Sequence, residues 1–139
     1  MLRDLIIARL KAQVSGLRKV GTAADLAGAQ ADTQNQFPCA FVLVLAEQGG
    51  APRYMSGLTA QKRTPRIAVV LAVKNVRDMI GNASGGDMEL LRQQTDAALF
   101  GWMPDGDHAP LIFASGKLMG LLGGELWWQD EYTTEFDRR

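Results

Sequence analysis

A chain of 139 residues with 47% apolar content has the size and composition of one folded domain around one core. Its 15 basic and 15 acidic side chains cancel, which excludes the long-range positive field that nucleic-acid binding normally needs. No stretch approaches the roughly 18 apolar residues that span a bilayer, Arg9 and Lys11 interrupt the N-terminal apolar pattern that a signal peptide would keep continuous, and the single cysteine, Cys39, allows no internal disulfide. A reducing, cytoplasm-like compartment is therefore expected, with Cys39 a buried and inert thiol.

Leu2, Leu5, Ile6, Leu10, Val14 and Leu17 recur at three- and four-residue steps and predict an amphipathic helix that ends near Ser15-Gly16. Thr22 and Asp25 have capping-box spacing and predict a short second helix to Gln30. The polar segment Asp32–Gln36 follows, and Pro38 biases Phe37 toward extended backbone. Cys39–Ala46 reads as a strand, and because Ala40–Leu45 is continuously apolar, both its faces should be covered, as at the centre of a sheet.

Gln48–Pro65 holds Gly49, Gly50, Pro52, Gly57 and Pro65 and reads as a long connection, of which Tyr54–Thr59 has the makings of a short edge strand or protruding hairpin arm. Arg66–Val76 predicts a strand rich in β-branched residues. Gly81–Gly86 should end it flexibly, after which Ser84 and Asp87 match a capping box for a long helix lined by Met88, Leu91, Thr95, Ala98, Leu99 and Trp102 and stopped at Gly101. Leu111–Lys117 and Leu126–Phe136 predict two more strands joined through Met119–Gly124. In the last, Trp128, Asp130, Tyr132, Thr134 and Phe136 alternate with a mostly polar set. The expected fold is α+β: a single domain over 1–139 with a mixed four- to five-stranded sheet, two long helices and a protruding loop or hairpin arm.

Catalytic groups are sparse. His108, the sole histidine, sits in the turn Pro104–Pro110 and is expected to be exposed there, and no Ser or Cys has a nucleophile motif around it. Asp105, Asp107 and His108 lack the ligand set of a calcium loop and the spacing of a zinc site, so they are read as turn residues. Ser84-Gly85-Gly86 lacks the further glycines or Gly-Lys-Ser/Thr of a phosphate loop and is read as a lead-in to the helix. No catalytic residue, metal ligand or cofactor is expected. One of Trp127 and Trp128 must face the core, leaving the other as an outward contact anchor; Trp128 is taken as that candidate.

Charge offers a surface instead. Arg3, Arg9, Lys11, Arg18 and Lys19 make the front basic, whereas Glu125, Asp130, Glu131, Glu135 and Asp137 make the last segment acidic until Arg138 and Arg139. Such poles suit head-to-tail contacts between copies, or equally two solvated faces. Arg53, Lys62, Arg63 and Arg66, with Tyr54, form the dense basic and aromatic patch of the expected arm. Its functional reading is docking onto an acidic neighbouring surface, such as the C-terminal strand of another copy.

Four stretches carry a family likeness: Ala23–Leu26 after the first helix, Phe37-Pro-Cys-Ala-Phe-Val42, Ile67–Val73 running to Leu90-Leu-Arg92, and Leu99-Phe-Gly-Trp-Met-Pro104. With them the chain resembles the phage tail terminator proteins, small ring-forming subunits that stop polymerisation of long tail tubes and join tail to head. The resemblance implies an α+β domain that is not an enzyme and closes into a ring with copies of itself, commonly a hexamer. Its other partners would be the tail tube protein and a head-completion or connector protein, with no membrane and no specific nucleic acid. It would belong to the virion tail of a phage or prophage, and to the host cytoplasm during assembly. Gln48–Pro65 would be a mobile arm that orders on assembly, with Arg53, Arg63 and Arg66 among its contacts. Alternatives are another neck or tail-completion protein, a small-ligand module using Ser84–Asp87 and Asp105–His108, or an RNA-binding sheet. The last lacks the exposed aromatic pair of such surfaces.

Overall fold

A computed structural model describes residues 2–31, 37–74, 82–122 and 124–139. In chain order the elements are α1 (Leu2–Gln13), β1 (Lys19–Gly21), α2 (Ala23–Ala31), β2 (Cys39–Met55), β3 (Leu58–Lys74), α3 (Asn82–Leu99), β4 (Ile112–Leu122), β5 (Glu125–Thr133) and β6 (Phe136–Arg138). The strands form one mixed six-stranded sheet in the order β1-β2-β3-β5-β4, with β6 also on β3. Only β1 is parallel to its neighbour, pairing Lys19–Gly21 with Cys39–Phe41; the other pairings are antiparallel.

The fold is α+β as expected; the described residues form six strands rather than four or five, and helices of 12, 9 and 18 residues, two long and one short. The added strands are three-residue pieces, β1 and β6, too short to show a period. The polar segment Asp32–Gln36 and the expected strand end Asn75-Val76 lie outside the described residues.

The apolar runs are covered on both sides over Cys39–Val42 and Ile67–Val73, whereas Val44 and Leu45, expected to be covered, are exposed because β1 flanks the run only as far as Phe41 and no helix covers that end of it among the described residues. On one face Ile6 and Leu10 of α1, Val14 just after it, and Met88, Leu91, Ala98 and Leu99 of α3 close over Ala40, Val42, Ile67, Val69, Leu71 and Tyr132. On the other, Cys39, Phe41, Val70 and Ala72 pack beneath Leu26 of α2, Phe37 and Trp127. A fully buried side chain such as Phe41 or Leu71 contributes about 1.5–3 kcal/mol. The strand at the centre is β3, however, and not β2, which β1 flanks only at its first three residues.

The helix ends explain themselves in part. Thr22 donates its backbone N–H (2.8 Å) and its hydroxyl (3.1 Å) to Asp25 Oδ2, the acidic half of the expected capping box, and this holds the Asp25 carboxyl below the usual carboxylate range. The second box fails: α3 starts at Asn82, so Ser84 and Asp87 lie inside the helix rather than at its start. At the other end Gly101 takes a φ of +78° and donates its N–H to the Leu111 carbonyl (2.8 Å), while Leu111 donates back to Trp102 (3.0 Å). Arg9 of α1 donates to the Ala98 carbonyl (2.9 Å), placing a cation at the negative end of the α3 dipole.

Candidate functional site

The segment expected as a long connection is a β-hairpin. β2 and β3 are each 17 residues long and pair out to Met55 opposite Leu58, with irregularities near Leu45 and between Gly49 and Pro52. Ser56 (φ +48°) and Gly57 (φ +82°) make the two-residue turn, whose positive φ values match the right-handed twist of the strands. At its base β6 joins β3, setting Gln61, Lys62 and Arg63 opposite Arg138, Asp137 and Phe136. The arm is thus formed in the single chain, which corrects the expectation of an arm that orders only on assembly: an antiparallel ladder pairs its two strands with each other, and β6 adds a third strand along Gln61–Arg63.

Its cations have partners in their own chain. Arg53 donates to Asp137 (3.1 Å), Lys62 lies 3.4 Å from Glu135, and Arg66 donates to Glu131 (2.5 Å) and to the Ser115 hydroxyl (3.2 Å). Arg66 and a bond from Gln129 hold the Glu131 carboxyl below the usual range against the cost of burial. Arg63 reaches only the Gln61 side chain (3.4 Å) and has no carboxylate partner among the described residues. The acidic C-terminal segment that was expected to meet the arm of another copy therefore meets the arm of its own, because β6 runs beside β3. Tyr54, Met55 and Leu58 form an exposed apolar tip.

Neither tryptophan stands free. Trp127 stacks on Phe41 with ring centroids 6.3 Å apart, while Trp128 packs on the helix-side core and donates its indole N–H to Asp130 (2.9 Å). Sheet alternation sends adjacent residues to opposite faces, and here both faces are covered, so the expectation of an outward Trp128 is corrected. Arg92 of α3 lies 4.4 Å over the Trp128 ring and donates to both oxygens of Asp130 (2.9 and 3.0 Å), a forked pair that docks α3 on β5. Beside it Tyr132, its phenol pKa raised by burial and by its bond to Asp96, donates to that carboxylate (2.8 Å).

His108 is not an exposed turn residue. Its side chain is 15% exposed, its Nδ1 lies 2.8 Å from Asp105, and its ring packs against Phe136 (5.0 Å). The Asp105 carboxylate also accepts the N–H groups of Asp107 (2.8 Å) and His108 (3.0 Å); together these bonds lower its pKa, so it shapes the turn as expected. Cys39 is buried, and burial pushes its thiol up to about 12, leaving it protonated and unreactive. The structure brings together the arm cations and the C-terminal carboxylates, and it does not gather Cys39, His108 and Asp107 into one site.

Sequence reasoning places β4, as Leu111–Lys117, but misses its exposed apolar edge. This strand pairs with β5 alone among the described residues, and Ile112, Phe113, Leu118, Met119 and Leu121 are all exposed along it. The available signal was that apolar residues occupy both of its faces while no further helix remained to cover them.

The functional features are thus an ordered projecting hairpin, an apolar sheet edge and ion pairs that brace them, the equipment of a subunit that acts through surfaces. A family model described as phage tail terminator protein matches residues 3–139. The chain belongs to the phage tail terminator family, and so to the structural proteins of phage tail completion, as a component of the virion tail. No curated protein matches it.

Proposed function

We propose that this chain is a tail terminator that closes into a ring on the end of the tail tube, stops tube polymerisation and offers its far face to the head-completion protein. The observation that carries this reading is the family match over residues 3–139. Six copies per ring is the stoichiometry that the resemblance implies.

The mechanism is steric. A ring must present one face that adheres to the last tube ring and another that refuses a further tube subunit, so growth ends. The ordered hairpin suits the adhesive role: its tip offers Tyr54, Met55 and Leu58 as apolar contacts, and Arg63 offers a charge not already paired with a carboxylate. Arg53 and Lys62 join this contact by exchanging Asp137 and Glu135 for carboxylates of a partner. Arg66 and Trp128 support it from within the fold, through Glu131 and Asp130.

The test is polymerisation of the tube protein encoded with this chain, followed by light scattering. Substoichiometric terminator should arrest growth and leave shorter tubes; tubes that lengthen at the same rate with and without it would overturn the reading.

A further inference from the structure

The sheet has two open edges, and they complement each other. Among the described residues no strand pairs with the outer edge of β4, Ile112–Leu122. β2 is covered by β1 only at Cys39–Phe41, so that from Val42 onward its outer edge has no partner among the described residues. Unpaired edges of this length, carrying exposed apolar side chains, are templates for another strand.

Strand polarity singles out one way of joining them. Across the sheet β2, β3, β5 and β4 alternate in direction. A second copy placed in the same orientation sets its β2 beside the first copy's β4 running the opposite way, so the antiparallel alternation continues from copy to copy. The faces match as well: Val44 is paired with Ile67, which faces α1 and α3, and Leu118 is paired with Trp128 on that same face. Both are exposed, at 51% and 56%, and both become covered in such a junction. Each edge carries a single charge along Val42–Gly49 and Ile112–Leu122, Glu47 on the first and Lys117 on the second, opposite in sign. Beside the β2 edge a groove of about 620 Å³, lined in part by Leu2, Val42, Val44 and Phe136, leaves room for the incoming side chains.

We infer that the β4 edge of one copy pairs antiparallel with the β2 edge of the next between Val42 and Gly49, a head-to-tail junction that runs one sheet through the ring. This rests on the ring reading above. Because each copy uses two different edges, the junction is heterologous, which is the kind a ring is built from, unlike the self-complementary patch of a two-fold dimer.

Two variants test it, Leu118→Lys on one edge and Val44→Lys on the other, with Leu90→Lys on the exposed side of α3 as control. Each edge variant should keep the wild-type far-UV spectrum and lower the ring fraction by at least about tenfold in analytical ultracentrifugation, while the control keeps its rings. Mixing the two edge variants leaves one intact junction, β4 of the Val44→Lys copy with β2 of the Leu118→Lys copy, so the mixture should give a one-to-one dimer and nothing larger. Wild-type rings accompanied by edge variants that still form rings, or by a mixture that stays monomeric, overturn the junction and leave the ring reading standing. Wild-type protein that forms no ring even on tube ends overturns both.

Discussion

Arg53 Nη2 lies 3.1 Å from Asp137 Oδ1, so a cation well out on the hairpin arm is held by the last strand of its own chain. Residues 84 positions apart in sequence are joined because β6 lies alongside the base of β3. The C-terminus thereby acts as a brace for the arm, which remains available for contact at its tip.

Removing that brace should loosen the arm without unfolding the domain. For the double variant Glu135→Ala, Asp137→Ala, amide hydrogen exchange across 50–63 should accelerate, whereas thermal stability should fall by no more than about 1 kcal/mol, since exposed ion pairs contribute little. Unchanged exchange in the arm would show that its two-stranded ladder needs no support from β6.

Gly116 sits where a side chain has no room. A Cβ there would stand 2.5 Å from Asp130 Oδ1 and 3.1 Å from both Arg92 Nη2 and Trp128 Nε1, groups fixed to one another by the forked pair. Gly116→Ala should therefore cost about 1–3 kcal/mol by overpacking. A denaturant midpoint equal to wild type would mean that the cluster yields.

Asp130 is buried, and it joins Arg92, Trp128 and the sheet. Asp130→Ala strands the indole N–H and leaves the half-buried guanidinium over the ring without its counter-charge. Because Arg92 is 33% exposed it can turn to water, so the expected loss is about 2 kcal/mol rather than the ~3–5 of a fully enclosed pair. The checking measurement is equilibrium unfolding in urea; a loss below about 0.5 kcal/mol would contradict this role.

Glu131 sets a pH dependence. Its folded pKa lies below the ordinary carboxylate value because Arg66 and Gln129 donate to it. The resulting stability is complete above ~4.3, the unfolded value, and is lost as pH falls through the lower folded value. Glu131→Gln should lower stability by about 1 kcal/mol at neutral pH, discounted for the partial exposure of Arg66, and the gap should narrow in melts at pH values progressively below ~4.3. A gap of the same size at neutral pH and throughout the acid melts would contradict the assignment.

With its pKa at about 12, the Cys39 thiol should react with a thiol reagent at pH 8 roughly a thousandfold more slowly in the native protein than in denaturant. Comparable rates would show that Cys39 is accessible.

The sequence was most legible where one physical signal dominated. The four-residue spacing of Ile6, Leu10 and Val14 located α1, and the apolar run from Ala40 announced a strand that is covered on both faces as far as Val42, though not at Val44 and Leu45. The arm was half legible: a tally of glycines and prolines made Gln48–Pro65 look like a loop, while Ser56-Gly57, a turn dipeptide between runs of equal length, was its real signature. Trp128 and His108 were misplaced for one reason, that local pattern does not tell which element arrives to cover a face. Arg92 and Phe136 come from 36 and 28 residues away, and the sequence holds no local trace of either contact. The pairing of Arg53 and Lys62 with Asp137 and Glu135 depended on β6, whose three residues are too few to show a period, whereas Arg66 meets Glu131 on β5.

The most direct test of the central claim, that this chain acts by closing on the end of a tail tube, is electron microscopy of purified tubes incubated with it. The account predicts a ring of density at one end of each tube and none along the sides. Tubes with bare ends beside strictly monomeric protein would contradict it.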